Sequence, residues 1–267
     1  MLAGEAADGL EVAGIGQDDA DVGERRLHQQ AGDVACLLME PALTNIGIVL
    51  PDEDYLAGVR EVTRRHDVLL VNDETHTICA GPGGATAAWG LEPDFVVIGK
   101  PIGGGIPVAA YGMTAEVASR LEGPMVGHDI DVAGVGGTLS GSALAMAAVR
   151  ATLSTALRQE DFDVSIPLAE SFTAGIRGVI DENDLPWHVQ RLGCRAEYWF
   201  CPPPRSGAEA AAAVDEDLDA FFHLWTVNRG VLLAPFHNMS LFSPFHDQAD
   251  VDAHTSAFRG AVEALVG

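Results

Sequence analysis

Lys100 is the only lysine among 267 residues; the other 14 basic positions are arginine. Arginine replaces lysine at almost any surface site, where either side chain supplies a solvated positive charge. It cannot replace lysine where a primary amine must lose its proton and attack a carbonyl carbon. Lys100 follows the apolar run Phe95-Val96-Val97-Ile98 and is wrapped in glycine, Gly99-Lys100-Pro101-Ile102-Gly103-Gly104-Gly105. That placement suits a residue that forms a Schiff base. The competing reading is a leftover surface lysine in a lysine-poor composition.

Two carboxylates fall at comparable places. Glu40 ends the run Val34-Ala35-Cys36-Leu37-Leu38-Met39, and Asp73 ends Val68-Leu69-Leu70-Val71-Asn72. In open α/β sheets ligands bind at the carboxyl ends of the strands. A carboxylate at one strand end and an amine at the next suit pyridoxal phosphate. The amine would hold the cofactor, and Asp73 would keep the pyridine nitrogen protonated so that the ring accepts an electron pair. Asp73 as a helix cap or surface acid remains the plainer alternative.

The elements that must position these residues are read from periodicity. Residues 34–39, 68–71 and 95–98 are short continuous apolar runs, which predict strands buried on both faces. A helix opens at Pro51-Asp52 with Tyr55, Val59 and Val62 on one face. Residues 107–111 follow the third strand too closely for a crossover helix and are expected to return antiparallel. Residues 134–141 form a glycine-rich loop leading into a helix over 142–157, apolar on most sides and so expected to be buried. Residues 168–181 predict another helix. Beyond about 185 the texture changes to short strands at 189–192, 197–200, 231–233 and 239–242. A helix is expected over 207–228 and a final amphipathic helix over 247–266. The expectation is therefore an α/β chain with a mainly parallel sheet in residues 33–184 and a small α+β domain in residues 185–267. Residues 1–32 are irregular, with a polar helix expected over 18–30.

Composition narrows the function. With 48% hydrophobic residues the chain can fill a core, and its net charge of −24 argues against nucleic acid or an anionic membrane as partner. Cys36, Cys79, Cys194 and Cys201 show no C-x-x-C spacing and read as reduced, mostly buried thiols of a cytoplasmic protein. No signal peptide and no membrane-spanning apolar run is seen.

Four motifs in order resemble the class III pyridoxal-phosphate aminotransferases, within them the glutamate-1-semialdehyde aminomutase-like branch. They are Glu40-Pro41-x-x-Thr44-Asn45-x-Gly47, Leu69-Leu70-Val71-Asn72-Asp73-Glu74-Thr75, Gly99-Lys100-Pro101-Ile102-Gly103-Gly104-Gly105-Ile106-Pro107 and Gly137-Thr138-Leu139-Ser140-Gly141. The resemblance runs from about Asp33 to the C-terminus. Asn228-Arg229-Gly230-Val231 and Ser243-x-x-His246 also look like that family's closing domain. It implies a fold type I large domain with a small domain, pyridoxal 5'-phosphate as cofactor, and an amino donor and a keto acid as substrates. Lys100 then looks like the Schiff-base lysine and proton-transfer base, and Asp73 like the partner of the ring nitrogen. Thr75 takes the position that packs on the ring face, and Asn45 one near the ring oxygen. Thr138 looks like the hydroxyl that reaches the phosphate in a neighbouring subunit, which implies a homodimer.

Two departures accompany it. Thr75-His76-Thr77 stands where the family usually has Val-x-Thr, so His76 is either a ligand-facing polar group or a loop residue. The family's long N-terminal portion, with the turn that cradles the phosphate, is not recognisable, so the large domain is expected to be incomplete and the chain N-terminally truncated. The alternative function is a non-catalytic remnant or subunit that needs that portion to bind the cofactor. A reading from another class, a metal site at His128-Asp129-x-Asp131, lacks the helical ligand spacing of zinc hydrolases.

Overall fold

Apolar runs of four to five residues make the central sheet. The computed structural model describes residues 13–14, 34–125, 139–233 and 238–267. Strand β1 is Ala13–Gly14, β2 Cys36–Met39, β3 Leu69–Asp73, β4 Phe95–Ile98 and β5 Ala110–Met113. They lie side by side in that order. The first four are parallel, with Leu37 opposite Leu70 and Val71 opposite Phe95, and β5 returns antiparallel with Ile98 opposite Ala110. The expected antiparallel return is found, a few residues later than expected. β1 was not legible, because two small residues carry no period.

Helix α1 (Tyr55–Arg65) covers one face of this sheet. Its Val62 is buried against Leu37, Met39 and Leu70, with Tyr55, Leu56 and Val59 packed alongside. Burial on both faces does not hold for β2. Leu38, which points to the opposite face, is 38% exposed. Alternation places successive side chains on opposite faces, and α1 covers only one. Short helix α2 (Gly84–Ala88) follows β3, and α3 (Ala115–Met125) follows β5.

Helix α4 (Ala143–Thr155) forms close to where expected, but it is not buried. Leu144 is 65%, Met146 46% and Leu153 49% exposed, and only Ala145 is buried. A helix apolar on most sides needs cover on most sides. Among the described residues α4 packs chiefly on the turn that carries Lys100.

The C-terminal layer is a three-stranded antiparallel sheet of β6 (His188–Leu192), β7 (Arg195–Trp199) and β8 (Met239–Leu241). Helices α5 (Gln159–Glu182), α7 (Glu216–Val227) and α8 (Gln248–Val266) pack on it. Phe172 and Ile176 of α5, Ala196 and Tyr198 of β7, Phe222 of α7 and Phe258 of α8 share one core. By packing, then, α5 sits with this layer, although it lies ahead of residue 185. Asp247 caps α8, its carboxylate accepting from the amides of Ala249 and Asp250.

Two expected elements differ. The helix over 207–228 is broken into α6 (Gly207–Ala212) and α7, because Asp215 takes an extended conformation and caps α7 through the Leu218 amide. The strand at 231–233 is absent. Gly230 has φ +81° and its amide bonds the Val227 carbonyl, while the Val231 amide bonds the Thr226 carbonyl. This is a Schellman stop, in which an apolar residue after the glycine packs back on the helix.

Candidate active site

Because β2, β3 and β4 are parallel neighbours, their carboxyl ends share one edge of the sheet. Glu40 directly follows β2, Asp73 ends β3, and Lys100 lies two residues beyond β4. Lys100 opens a tight 3-10 turn over Lys100–Gly103 with φ +44°, in the left-handed region. Non-glycine residues there carry strain, and such strain gathers at functional sites. Its side chain is exposed.

Asp73 and Glu74 diverge at once. The Asp73 carboxylate accepts the Thr75 amide at 2.8 Å, folding the chain after β3 into a turn. Glu74 points inward and is buried. It accepts from the Thr77 hydroxyl at 2.5 Å and from the amides of Ala85 at 2.9 Å and Thr86 at 2.5 Å. Gly84, with φ +69°, makes this possible, since a Cβ there would lie 2.2 Å from a Glu74 oxygen.

The C-terminal layer closes the other side. The β6–β7 hairpin turns at Gly193 (φ +56°), and the Cys194 amide bonds the Cys79 carbonyl at 2.9 Å. A Cβ on Gly193 would stand 2.0 Å from that carbonyl oxygen, so only glycine allows this approach. The docked hairpin carries Arg195 into the site. One Arg195 nitrogen (Nη2) donates to the Thr44 carbonyl at 2.6 Å and to Glu197 at 3.2 Å. The other terminal nitrogen, Nη1, lies 3.4 Å from His76 Nδ1. His76 Nε2 in turn contacts Lys100 Nζ.

Beside these groups lies a half-open cavity of about 470 Å³ whose wall includes Thr75, His76, Lys100, Phe162, Arg195 and Phe242. Burial raises the Glu40 carboxyl above the ordinary range, and the nearby Asp73 charge adds to it. The Thr44 hydroxyl, which donates to Glu40 at 2.8 Å, works against the shift, as do Lys100 and Arg195. Cys79 is pushed up to about 12 by burial and Cys194 to about 11, so neither thiol is poised to react. All four cysteines are free; Cys36 and Cys201 are only half-buried.

Of the residues singled out from sequence, Lys100, Thr75 and His76 meet at this cavity. Asp73 lies one strand over, outside the wall, and Asn45 is exposed in the loop bridged by Leu43 and Val49. Thr138, the expected helix over 18–30 and the segment His128-Asp129-x-Asp131 lie outside the described residues. Among the described residues, no cluster of three metal-ligating side chains is found. Sequence reasoning missed Arg195. Its one signal was the spacing Arg195-x-Glu197, which puts two opposite charges on one face of an otherwise apolar strand.

The family model for class-III aminotransferases matches residues 15–245. The chain belongs to the class-III aminotransferase family. Among its relatives, glutamate-1-semialdehyde 2,1-aminomutase 1 of Bacillus cereus is 32% identical over 255 residues, which cover 94% of this chain and 58% of that protein. Among solved structures, a glutamate-1-semialdehyde aminomutase from Pseudomonas aeruginosa in complex with PMP superposes with a TM-score of 0.88 at 44% identity. That match covers 94% of this chain and 56% of the other. An omega-transaminase from Sphaerobacter thermophilus follows at a TM-score of 0.78 and 27% identity, with 94% and 56% covered. The fold is thus the type I fold of the aminotransferases, and this chain spans little more than half the length of the relatives it matches.

Proposed function

We propose that this chain carries the lysine-bearing part of a pyridoxal-phosphate-dependent transaminase or aminomutase. The enzyme would move an amino group between an amino acid or amine and a keto acid. The observation that carries this is where the sole lysine stands. Lys100 opens from a strained turn at the carboxyl end of β4 onto a cavity closed by the C-terminal layer.

The side chains present suit the cofactor. Lys100 supplies a primary amine for its aldehyde carbon, and Asp73 a carboxylate one strand away for its ring nitrogen. Thr75 offers a small polar side chain on the cavity wall. Asn45 near the ring oxygen, and Thr138 toward the phosphate of a neighbouring subunit, complete the set that family resemblance implies. When bound, pyridoxal phosphate supplies an electron sink for the pair left by a broken C–H bond. Lys100 would hold the cofactor through Nζ, and the same Nζ would move the proton at the substrate Cα. Both uses require its free electron pair. The buried Cys79 and Phe162 give the same cavity an apolar part of its wall. A homodimer in the cytoplasm belongs to the same proposal; no helix among the described residues is long and apolar enough to cross a membrane.

A visible spectrum of the purified chain with added pyridoxal phosphate tests this, followed by borohydride reduction and peptide mapping. The expected result is an absorbing adduct trapped on Lys100. With one lysine in the sequence, the α-amine of Met1 is the sole other primary amine. Lys100→Arg, which keeps the charge but not the nucleophile, is expected to abolish the adduct and any turnover. Turnover retained in that variant would sink the proposal. The second reading, a remnant that needs further chain to bind the cofactor, draws on the exposed apolar side chains of β2 and α4. A folded sample that forms no adduct would favour it.

A further inference from the structure

The wall of the cavity beside Lys100 is mostly hydrocarbon. Ile78 comes from the short 3-10 turn after β3, and Leu157 and Phe162 from the entry to α5. Met239, Leu241 and Phe242 come from β8 and the residue that follows it. Phe162 and Phe242 are buried, but Leu241 is 55% exposed, so part of this apolar wall still faces water. Covering it with a hydrocarbon group removes wet carbon on both sides of the contact.

The polar members of the wall are turned to other partners. Arg195 is buried, and its Nη2 donates to the Thr44 carbonyl at 2.6 Å and to Glu197 at 3.2 Å. Glu197 is buried as well, so Arg195 could receive a second carboxylate only by leaving that first one unpaired. The Asp161 carboxylate accepts from the Arg158 amide at 3.0 Å and from its Nε at 3.2 Å. The Ser165 hydroxyl donates to the Asp161 carbonyl at 2.7 Å, and the Ser243 hydroxyl lies 3.0 Å from His246 Nδ1. Lys100 is given to the cofactor in the proposed function.

We propose that this cavity receives an apolar side chain, aromatic or branched aliphatic, of the amino donor and its keto acid, and disfavours dicarboxylic substrates. This names the substrate class of the same site and rests on the proposed role of Lys100. A carboxylate pressed against this wall would lose its water with no uncommitted lysine or arginine to replace it among the described lining residues. Held back at the half-open mouth it would keep its water, and the wall would stay wet. An isopropyl or phenyl end meets neither obstacle.

Methyl NMR of the cofactor-free chain labelled with ¹³C-methyl methionine tests it. Met239 is on the wall, and its signal among the six methionines is identified by its loss in Met239→Leu. The titrants are 2-oxoglutarate and 5-methyl-2-oxohexanoate. They share the 2-oxo acid head and the chain length, and differ at the far end, carboxylate against isopropyl. The isopropyl compound is expected to shift the Met239 signal with at least about tenfold tighter binding. Leu241→Arg adds a cation at an exposed point of the wall and is expected to narrow or reverse that preference. Equal or tighter binding of 2-oxoglutarate to the wild-type chain overturns the proposal. So does an unmoved preference in Leu241→Arg, or a Met239 signal that answers to neither compound. The two readings fail separately. A cofactor adduct on Lys100 without the preference removes this inference and leaves the function. The preference without an adduct leaves an apolar binding cavity and removes the function.

Discussion

Glu74 stands beside Asp73 in one Asp-Glu pair, yet only one of the two faces the lysine edge. The sequence marks both alike. What separates them is strand alternation, which turns Glu74 inward onto three donors. Glu74→Gln would set an amide N–H against the amide of Ala85 or Thr86. An unsatisfied buried donor costs about 2 kcal/mol, so the urea midpoint should fall clearly; an unchanged midpoint would mean these bonds carry no weight. His254 makes the matching case in the C-terminal core. It is buried against Phe172 and Tyr198, and among the described residues neither ring nitrogen has a hydrogen-bond partner. Burial lowers it to about 4, below an ordinary 6.5. In that window the unfolded chain binds a proton that the folded chain refuses, so stability present above 6.5 is lost as pH falls toward 4. The loss approaches about 3 kcal/mol. In His254→Phe this acid-side loss should shrink relative to wild type in denaturant titrations at pH 7 and pH 4.5. Parallel titrations would exclude His254 as its source. Lys100 was legible at this scale because composition isolates it. Arg195 was not, because it is one of fourteen arginines and meets His76 across 119 residues.

At the scale of elements, the apolar runs located β2, β3 and β4 because a sheet strand needs little more than a short apolar stretch between turns. Periodicity could not report what lies over an element. It read α4 as buried from its composition alone, and it read 231–233 as a strand where an apolar residue serves a helix stop. Nor could it see which turns touch. The contact that builds the site is the Gly193 turn against the Cys79 carbonyl, and one glycine among 30 gives no hint of it. Gly193→Ala therefore tests what this contact is worth. The new methyl meets both a left-handed backbone and an oxygen 2.0 Å away, which together should cost at least about 2 kcal/mol. If the hairpin backs off, Arg195 leaves His76. The urea midpoint should then fall while circular dichroism at low temperature still shows a folded chain. An unchanged midpoint would mean that the contact between the hairpin and the Cys79 carbonyl carries no weight.

At the scale of the whole molecule, two opposing forces act on association. Leu139 is 83% and Leu144 65% exposed, with Met146 and Leu153 on the same helix, and exposed apolar side chains at this density favour self-contact. Against this stands a net charge of −24, which repels any second copy. The two respond differently to salt. Charge repulsion is screened beyond about 10 Å at 0.1 M ionic strength and within about 3 Å at 1 M, whereas apolar burial is not weakened. Sedimentation equilibrium should therefore show mass rising with sodium chloride, the opposite of an assembly held by ion pairs. The pair Leu144→Gln and Leu153→Gln, both solvent-exposed, should suppress that rise while leaving helix content unchanged. If association instead weakens with salt, charged contacts carry it and α4 is not the surface involved. If it strengthens with salt but survives the double substitution, the apolar contact lies elsewhere, and the exposed face of β2 at Leu38 is the next to substitute.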